Sequence, residues 1–297
     1  MSHSVRPPRR HHFIPEFYQR QWCGTDRKVE RYVRVNGVVH RKRVPPSEAA
    51  FENDLYRHPR RSMDDWSAQA LELKVFSPID DAAAKALDAM IANPLALRDD
   101  LVRRNWTLFL RTMLMRTPYQ MAGTLASFER IWRQTGSELE ERYAGIRQPD
   151  MPPTLTEFLE QQNPNEAKEN AFRMYAESLS DDRLTRYIRK MPWRIFDCSE
   201  ADYGLLLSDH PVVLVPLERD DGHIAMALSP TKYLVAAPND QMRAAADSIG
   251  PKLAVRIMNK LAVQRAQHYV ISTDQSQDAF IRKHFGADPV PPFFGSE

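Results

Sequence analysis

Two histidines and one aspartate are the residues of this sequence whose types and settings are best suited to chemistry. His11 and His12 are adjacent in RRHHFIPEFY, between a basic arm and an aromatic run, and Asp209 follows an apolar stretch in SDHPVVL. Neighbouring side chains point to different faces of a strand or helix, so the two histidines cannot hold one ion together. An imidazole such as that of His12 could act as a general base, a metal ligand or a pH-sensitive hydrogen-bonding group. Alternatively, His12 caps a backbone segment while the aromatic residues after it pack the N-terminus onto the core.

Asp209 also has a chemical and a structural interpretation. A polar side chain at the end of the apolar residues 204–207 is presented at the edge of a sheet, where it could bind a metal or orient His12. It could equally accept backbone N–H bonds in a turn and have no chemistry. Pro211 restricts His210 to extended conformations, and His210 is a secondary candidate.

Two arginines and an asparagine complete the set of candidate residues. Arg111 lies among apolar residues of a helical segment, so its guanidinium should be directed at an anion that offsets its desolvation. That anion is either a substrate in a cleft or an internal carboxylate, and we expect Asp209 to be its partner. Arg116, from the same segment, and Asn259, from a late helix, are candidate substrate-binding residues.

The elements that must position these residues indicate an α+β fold. Val29–Val35 and Val38–Val44 alternate in polarity around Asn36-Gly37, which predicts a hairpin with a type I′ turn. Helical periodicity then dominates, and short β-prone runs follow late in the chain with connections too short for crossover helices. We therefore expect a mostly helical protein with an antiparallel sheet formed by the early hairpin and the late strands.

Organisation along the chain favours a single domain over residues 1–297, with a linker near residues 145–153, where three prolines occur close together. In the last long helix, Leu253, Ile257 and Leu261 recur at helical spacing, which predicts that they face inward.

Composition narrows the function classes. The chain has 297 residues, 42% of them hydrophobic and 27% charged, which are globular values. With 41 basic and 39 acidic residues, the net charge is only +2, so a nucleic-acid partner would need a local basic patch. The two cysteines cannot form a zinc knuckle, and no apolar run could cross a bilayer. We expect a cytoplasmic protein with no membrane partner.

Several function classes lack their sequence signatures here. The chain has no phosphate-binding loop, no dinucleotide fingerprint, no nucleophile elbow and no HExxH motif. One basic cluster could contact the phosphates of a nucleic acid, although a solvated face is the preferred interpretation; it comprises Arg41, Lys42, Arg43, Arg57, Arg60 and Arg61.

Several stretches resemble the family called domain of unknown function 4238. They are HHFIPEFYQRQW, ELKVFSPIDDAAAKAL, NWTLFLRTMLMRTP, WRIFDCSEADYGLLLSDHPVVL and NKLAVQRAQHYVIS, in the order and spacing typical of that family. The resemblance extends over nearly the whole chain. His11 stands where the family more often has Gln, so His12 is the residue that matches. The resemblance implies a fold and matching positions, and it implies no activity, substrate or cofactor.

The sequence thus leaves two functions open. The first is a hydrolase acting on a phosphoester or nucleic-acid-like substrate, in which His12, Asp209 and Arg111 converge on one cleft, with help from Glu52 or Asp54. Its cofactor is unknown, with a divalent metal on His12 and Asp209 as one option. The alternative is a non-catalytic interaction or regulatory protein in which these polar residues are structural. The sequence defines neither partners nor oligomeric state.

Overall fold

Helices and antiparallel strands share the chain in this structure, a computed structural model that describes residues 6–179 and 182–293. The strands are β1 Arg10–His12, β2 Val29–Val35, β3 Val38–Val44, β4 Phe51–Asn53, β5 Trp193–Asp197, β6 Leu207–Ser208, β7 Val212–Val215, β8 His223–Ser229, β9 Lys232–Ala236 and β10 Tyr269–Ser272. The helices are α1 Glu16–Gln19, α2 Asp65–Ala68, α3 Ser77–Ala92, α4 Asp100–Met113, α5 Pro118–Glu138, α6 Glu140–Ile146, α7 Leu155–Gln162, α8 Glu166–Ser178, α9 Asp182–Lys190, α10 Asp240–Ser248, α11 Pro251–Arg265 and α12 Asp278–His284. The predicted α+β class is confirmed.

The early hairpin forms as the sequence predicts. β2 and β3 pair in antiparallel register from Val29 opposite Val44 to Val35 opposite Val38. Asn36 and Gly37 both have positive φ angles, 49° and 80°, as a type I′ turn requires.

The predicted antiparallel sheet of the early hairpin and late strands forms, but it does not contain all the late strands, because the described strands divide among three sheets. The hairpin is extended by two late strands in the order β3-β2-β10-β6. The other late strands form their own sheet in the order β5-β9-β8-β7, and β1 pairs with β4. The tight connection between β8 and β9 explains the second sheet, since strands joined by a short turn pair with each other.

Aromatic residues of the N-terminal segment fill the core between these sheets and the helices. Tyr18 and Trp22 are fully buried; the Tyr18 hydroxyl donates to the carbonyl of Ala227, and the Trp22 indole N–H donates to that of Leu205 at 2.7 Å. The N-terminal segment is therefore attached to the late part of the chain. The single-domain assignment stays a prediction, and the proposed linker falls on the connection between α6 and α7.

Helix α11 buries a different face from the predicted one. Ala254, Val255, Asn259 and Val263 are buried, whereas Leu253 is 52% exposed and Ile257 42% exposed. The expectation that Leu253 and Ile257 face inward is wrong. Small and β-branched residues allow the helix to approach the strands closely, and the amide of Asn259 forms hydrogen bonds there that a leucine could not. None of the described helices is long and apolar enough to cross a membrane.

Candidate functional site

The carboxylate of Asp209 holds the junction between α11 and β10. It accepts three backbone N–H bonds, from Gln267 at 2.9 Å, His268 at 2.6 Å and Tyr269 at 3.0 Å. Burial raises the pKa of Asp209 to about 6, and the three hydrogen bonds act in the opposite direction. The structural interpretation of Asp209 thus accounts for its contacts. The residues that it fixes begin two positions after Arg265, the last residue of α11.

A cavity of about 540 Å³ lies beside this junction, and its lining includes Arg265 at the end of α11 and His210, the residue after Asp209. Most of its wall is apolar and comes from the end of α4, from α9 and from the second sheet, including Leu114, Leu184, Ile188, Val212, Leu214 and Ile224. Its volume falls within the ~300–1,000 Å³ that is usual for small-molecule sites. The motif SDHPVVL contributes to this wall directly, because His210 and Pro211 line it as well.

Three nitrogen-bearing side chains line the cavity, those of Gln120, His210 and Arg265, and the exposed Glu218 is the acidic residue of its lining. His210 is neutral at pH 7, because burial, helped by the charge of Arg265, lowers its pKa to about 4. The described residues offer the guanidinium of Arg265 no ion pair or hydrogen bond, and its Nε is shielded from solvent. A partly buried guanidinium ordinarily has an anionic partner, which makes Arg265 the unusual residue of this site.

A short C-terminal strap, residues 290–293, closes one side of the cavity. The backbone N–H of Phe293 donates to Oε1 of Gln120 at 2.7 Å. Gly123 on α5 lies against Pro292, and a Cβ at that position would overlap the proline ring. The glycine therefore lets the strap lie close to α5.

Arg116 lies at the centre of a polar cluster beneath β1. Its side chain is buried, whereas the cavity beside Asp209 has room for a ligand. Arg116 is 1% exposed, donates to both carboxylate oxygens of Asp80 at 2.6 and 3.1 Å, and donates to the carbonyl of His12 at 3.0 Å. Burial opposes its charge, but Asp80 outweighs burial and raises the pKa of Arg116 above its ordinary value. Both terminal nitrogens are occupied by the protein itself, so substrate binding by Arg116 stays a prediction without support from its contacts.

The two histidines have different surroundings. His11 is fully buried; its Nδ1 accepts the backbone N–H of Tyr56 at 2.9 Å, so Nε2 carries the proton and donates to the carbonyl of Pro8 at 3.3 Å. His12 is half-buried, with Nε2 3.4 Å from the carbonyl of Ser47 and 3.6 Å from a carboxylate oxygen of Glu16. Burial lowers the pKa of both histidines. His11, which the family motif does not match, is therefore the more deeply buried of the two histidines.

The expected pairing of Arg111 with Asp209 is wrong. Arg111 is buried, as expected, but it donates to the carbonyl of Ser178 at 3.0 Å and to the hydroxyl of Thr185 on α9. The contacts of His12, Asp209 and Arg111 within the described residues do not join the three in one cleft. Their catalytic roles therefore stay predictions.

The remaining candidates are also engaged in the fold. Asn259 is buried; its carbonyl accepts the N–H of Leu206 at 2.8 Å, and its amide donates to the carbonyl of Gly204 at 2.9 Å. Asp54 accepts bonds from Arg9 at 2.9 Å and from a glutamine, whereas Glu52 is exposed on β4. Substrate binding by Asn259 stays a prediction.

The contacts of the described residues give no specific support for a metal site or for nucleic-acid binding. Within the part of the chain that the structure describes, no three His, Cys, Asp or Glu side chains gather as a metal site would need. Four of the six cations in the basic cluster form ion pairs, namely Arg41 with Asp278, Arg43 with Asp26, Arg57 with Asp65 and Arg60 with Glu169. Nucleic-acid binding stays a prediction.

Sequence reasoning missed Arg265, Gln120 and the strap. Arg265 ends α11, where a cation is usually explained by the helix dipole, so its sequence position carried no distinctive signal. The strap had a usable signal, because ADPVPPFF combines prolines with apolar residues and cannot continue a helix.

Comparison with known proteins identifies the family and nothing finer. The family model described as "Protein of unknown function (DUF4238)" matches residues 10–276. Neither the curated proteins nor the solved structures contain a match. The matched residues include both histidines, Asp209 and Arg265, and they end before the strap. Since the match extends over most of its length, the chain belongs to the DUF4238 family.

Proposed function

We propose that this chain is a non-catalytic, regulatory binding protein that holds a small apolar carboxylate in the cavity beside Asp209. One observation carries the proposal: the guanidinium of Arg265 lies at the wall of a largely apolar cavity and has no partner among the described residues. Leaving water is costly for a charge, and an anion that enters the cavity would offset that cost.

The charge and shape of the cavity select the ligand class. Arg265 supplies one positive charge, His210 is neutral and the exposed Glu218 adds a carboxylate to the lining, so a monoanion matches the cavity better than a phosphate dianion. A carboxylate accepts two parallel bonds from a guanidinium, and the imidazole offers one further N–H. The aliphatic wall fits a hydrocarbon tail. An alkanoate of medium length has all three properties.

Asp209 has a positioning role under this proposal. Its three backbone hydrogen bonds fix the residues that directly follow Arg265, and the next residue after Asp209 is His210. The same carboxylate therefore holds in place both side chains that would contact the ligand. This role explains why Asp209 needs no contact with a ligand of its own.

Titration with a homologous series of alkanoates tests the proposal. Calorimetry with C6, C8 and C10 acids should show saturable binding that tightens about fourfold for each added methylene until the cavity is full. Arg265→Met should weaken decanoate binding roughly 10- to 100-fold, because it removes a charge-assisted hydrogen bond. Arg256→Met, an exposed arginine of the same helix outside the cavity, is the matched control and should change nothing.

Two results would contradict the proposal. Decylamine binding as tightly as decanoate would show that the charge of Arg265 does not select the ligand. Retention of full decanoate affinity by Arg265→Met would show that the acid binds elsewhere.

A second candidate is the hydrolase acting on a phosphoester. His210 and Arg265 share one cavity and are the residue types of a general base and an anion binder, which favours this function at residues other than His12 and Arg111. Against it, an imidazole of pKa about 4 is a weak base at pH 7, and general bases work best near the operating pH. Release of p-nitrophenol from p-nitrophenyl phosphate, with and without Mg²⁺ or Mn²⁺ and lost in His210→Gln, would support the hydrolase over the binding protein.

A further inference from the structure

The exposed face of α11 carries an apolar stripe that nothing in the described chain covers. Leu253 and Ile257 are 52% and 42% exposed, and Tyr203, from the loop beside them, is 51% exposed. Isolated exposed apolar residues are normal, but three that line one groove form a patch of the kind that marks an interaction site. The inward face of the same helix is a separate apolar stripe.

These residues line a groove of about 700 Å³ between α11, the loop that carries Tyr203, and the start of α12. Its floor is held by polar contacts, since the buried amide of Asn259 donates to Oε1 of Gln277 at 2.8 Å. The groove is thus a formed feature of the fold, and it lies along a part of α11 that precedes Arg265. It is independent of the carboxylate cavity.

Cations outnumber acids around this groove. Lys252 is paired with Asp202 at 2.9 Å, whereas Arg256 and Lys260 have no hydrogen-bond or ion-pair partner among the described residues. The two unpaired cations are four residues apart on one face of the helix, next to Leu253 and Ile257. The groove therefore combines an apolar wall with an unbalanced charge of about +2.

We infer that this groove docks an amphipathic helix of a partner protein, with acidic residues flanking its apolar stripe. Helix-in-groove recognition uses apolar anchors spaced i, i+3, i+4 and i+7, and residues 253–260 of α11 present a matching ridge of two turns. The acidic flank of the partner would pair with Arg256 and Lys260, which have no partner in the part of the chain that the structure describes.

Other occupants fit less well. A second copy of this chain docked by the same groove would bring its own cations against Arg256 and Lys260, and like charges in contact oppose binding. A lipid bilayer presents a broad surface that does not follow a concave groove between two helices, whereas a single helix does.

Fluorescence anisotropy with a labelled synthetic peptide tests the inference. The probe is an 18-residue helix with Leu at i, i+3, i+4 and i+7 of each repeat and Glu and Ala at the other positions. It should bind the full chain at least about tenfold tighter than a scrambled peptide of the same composition, and more weakly as salt rises. A peptide with Lys in place of Glu should bind no better than the scrambled one.

Variants then locate the binding. The double change Leu253→Ser and Ile257→Ser should weaken the acidic peptide about tenfold, while Leu101→Ser, at a residue 59% exposed on α4, should have no effect. The charge reversal Arg256→Glu with Lys260→Glu should reverse the preference between the two peptides, so that the Lys peptide binds more tightly than the Glu peptide. All these side chains are exposed, so the variants should keep the wild-type melting temperature.

Four results would overturn the inference. The peptide could bind without regard to pattern, or equally well to the Leu253→Ser and Ile257→Ser variant. The wild-type chain could bind vesicles of phosphatidylcholine and phosphatidylserine through these residues in place of the peptide. Sedimentation could show self-association that the same substitutions abolish. None of these results bears on the carboxylate cavity, so the two proposals fail separately.

Discussion

Two regions of this molecule each place a histidine beside an arginine, and they use the pair differently. Around Arg116 the chain supplies partners for both terminal nitrogens, because Asp80 binds the two of them and the carbonyl of His12 accepts a further bond; Nε has no partner among the described residues. Arg265 has no hydrogen-bond or ion-pair partner among the described residues, and its side chain faces a cavity beside His210. The same residue types thus indicate a ligand only where the fold leaves their hydrogen-bonding groups unused.

The physical basis of this difference is the cost of removing a charge from water. Asp80 offsets that cost for Arg116 within the folded chain, so the pair contributes to holding β1 against α3. No anion among the described residues does the same for Arg265. The comparison predicts that changes in the Arg116 cluster alter stability, and that changes in the cavity alter ligand binding.

Replacing Arg116 should have the largest effect. Arg116→Met leaves the buried carboxylate of Asp80 without its partner, and breaking a buried ion pair on one side costs about 3–5 kcal/mol. Urea unfolding at pH 7 measures this loss. Arg265→Met, which breaks no ion pair, is the matched control and should change the free energy of unfolding by less than about 1 kcal/mol. Equal losses in both variants would remove the distinction between the two regions.

Replacing Asp209 should have the next largest effect. Asp209→Ala leaves three backbone N–H groups at the α11–β10 junction without their acceptor, which should cost about 2–3 kcal/mol and weaken decanoate binding because Arg265 is no longer held in place. His12→Ala, which removes the 3.4 Å contact with Ser47 and the 3.6 Å contact with Glu16, should cost about 1 kcal/mol and leave decanoate binding intact. Thermal melting and calorimetry on both variants make this comparison. Loss of decanoate binding in His12→Ala alone would reverse our assignment of the site.

Replacing His210 with Gln should make the free energy of unfolding less sensitive to acid, and this effect should be of moderate size. The folded protein protonates His210 only near pH 4, whereas an unperturbed histidine has a pKa of 6.5, so lowering the pH from 7 to 5 protonates the unfolded chain selectively. This group alone should reduce stability by about 2 kcal/mol over that interval. Asp209 acts in the opposite direction, because its raised pKa of about 6 favours the folded state as the pH falls through that value.

The comparison of wild type with His210→Gln separates these opposing effects. Since the variant lacks only the histidine contribution, its stability should fall by about 2 kcal/mol less than that of the wild type between pH 7 and pH 5. Urea midpoints at the two pH values provide the measurement. Parallel changes in both proteins would mean that His210 is not neutral in the folded cavity.

The smallest effect on stability is expected at Gly123. An alanine gains about 1 kcal/mol in a helix, but at this position its Cβ would displace Pro292, so the two effects should nearly cancel. The strap should then exchange its amide hydrogens about tenfold faster, measured at Phe293. Gly145→Ala on α6 is the control, because the space around Gly145 is open. Unchanged exchange at Phe293 would show that Gly123 does not hold the strap.

The parts of the fold that were predictable are those encoded by neighbouring residues. Asn36-Gly37 between alternating runs determined the hairpin and its register, because a two-residue turn leaves one way to pair the strands. The α+β class followed from the periodicities of the segments. The division of the late strands between two sheets did not follow, because pairing between strands far apart in sequence depends on which surfaces they bury together. For the same reason the buried face of α11 was assigned incorrectly: the hydrogen bonds of Asn259 to residues 204 and 206 are non-local.

By itself, the sequence determined the residue types, the family and the hairpin. It also determined that Asp209 lies in a turn directly after a strand. Only the tertiary structure decided which polar groups have partners. In the sequence, Arg111 and Arg116 look more functional than Arg265, since they lie among apolar residues of a helical segment whereas Arg265 ends a helix. Their difference lies in what the fold brings within about 3 Å of each guanidinium, and that depends on contacts between distant segments. The carboxylate of Asp80 reaches Arg116, and the described chain leaves Arg265 facing a cavity.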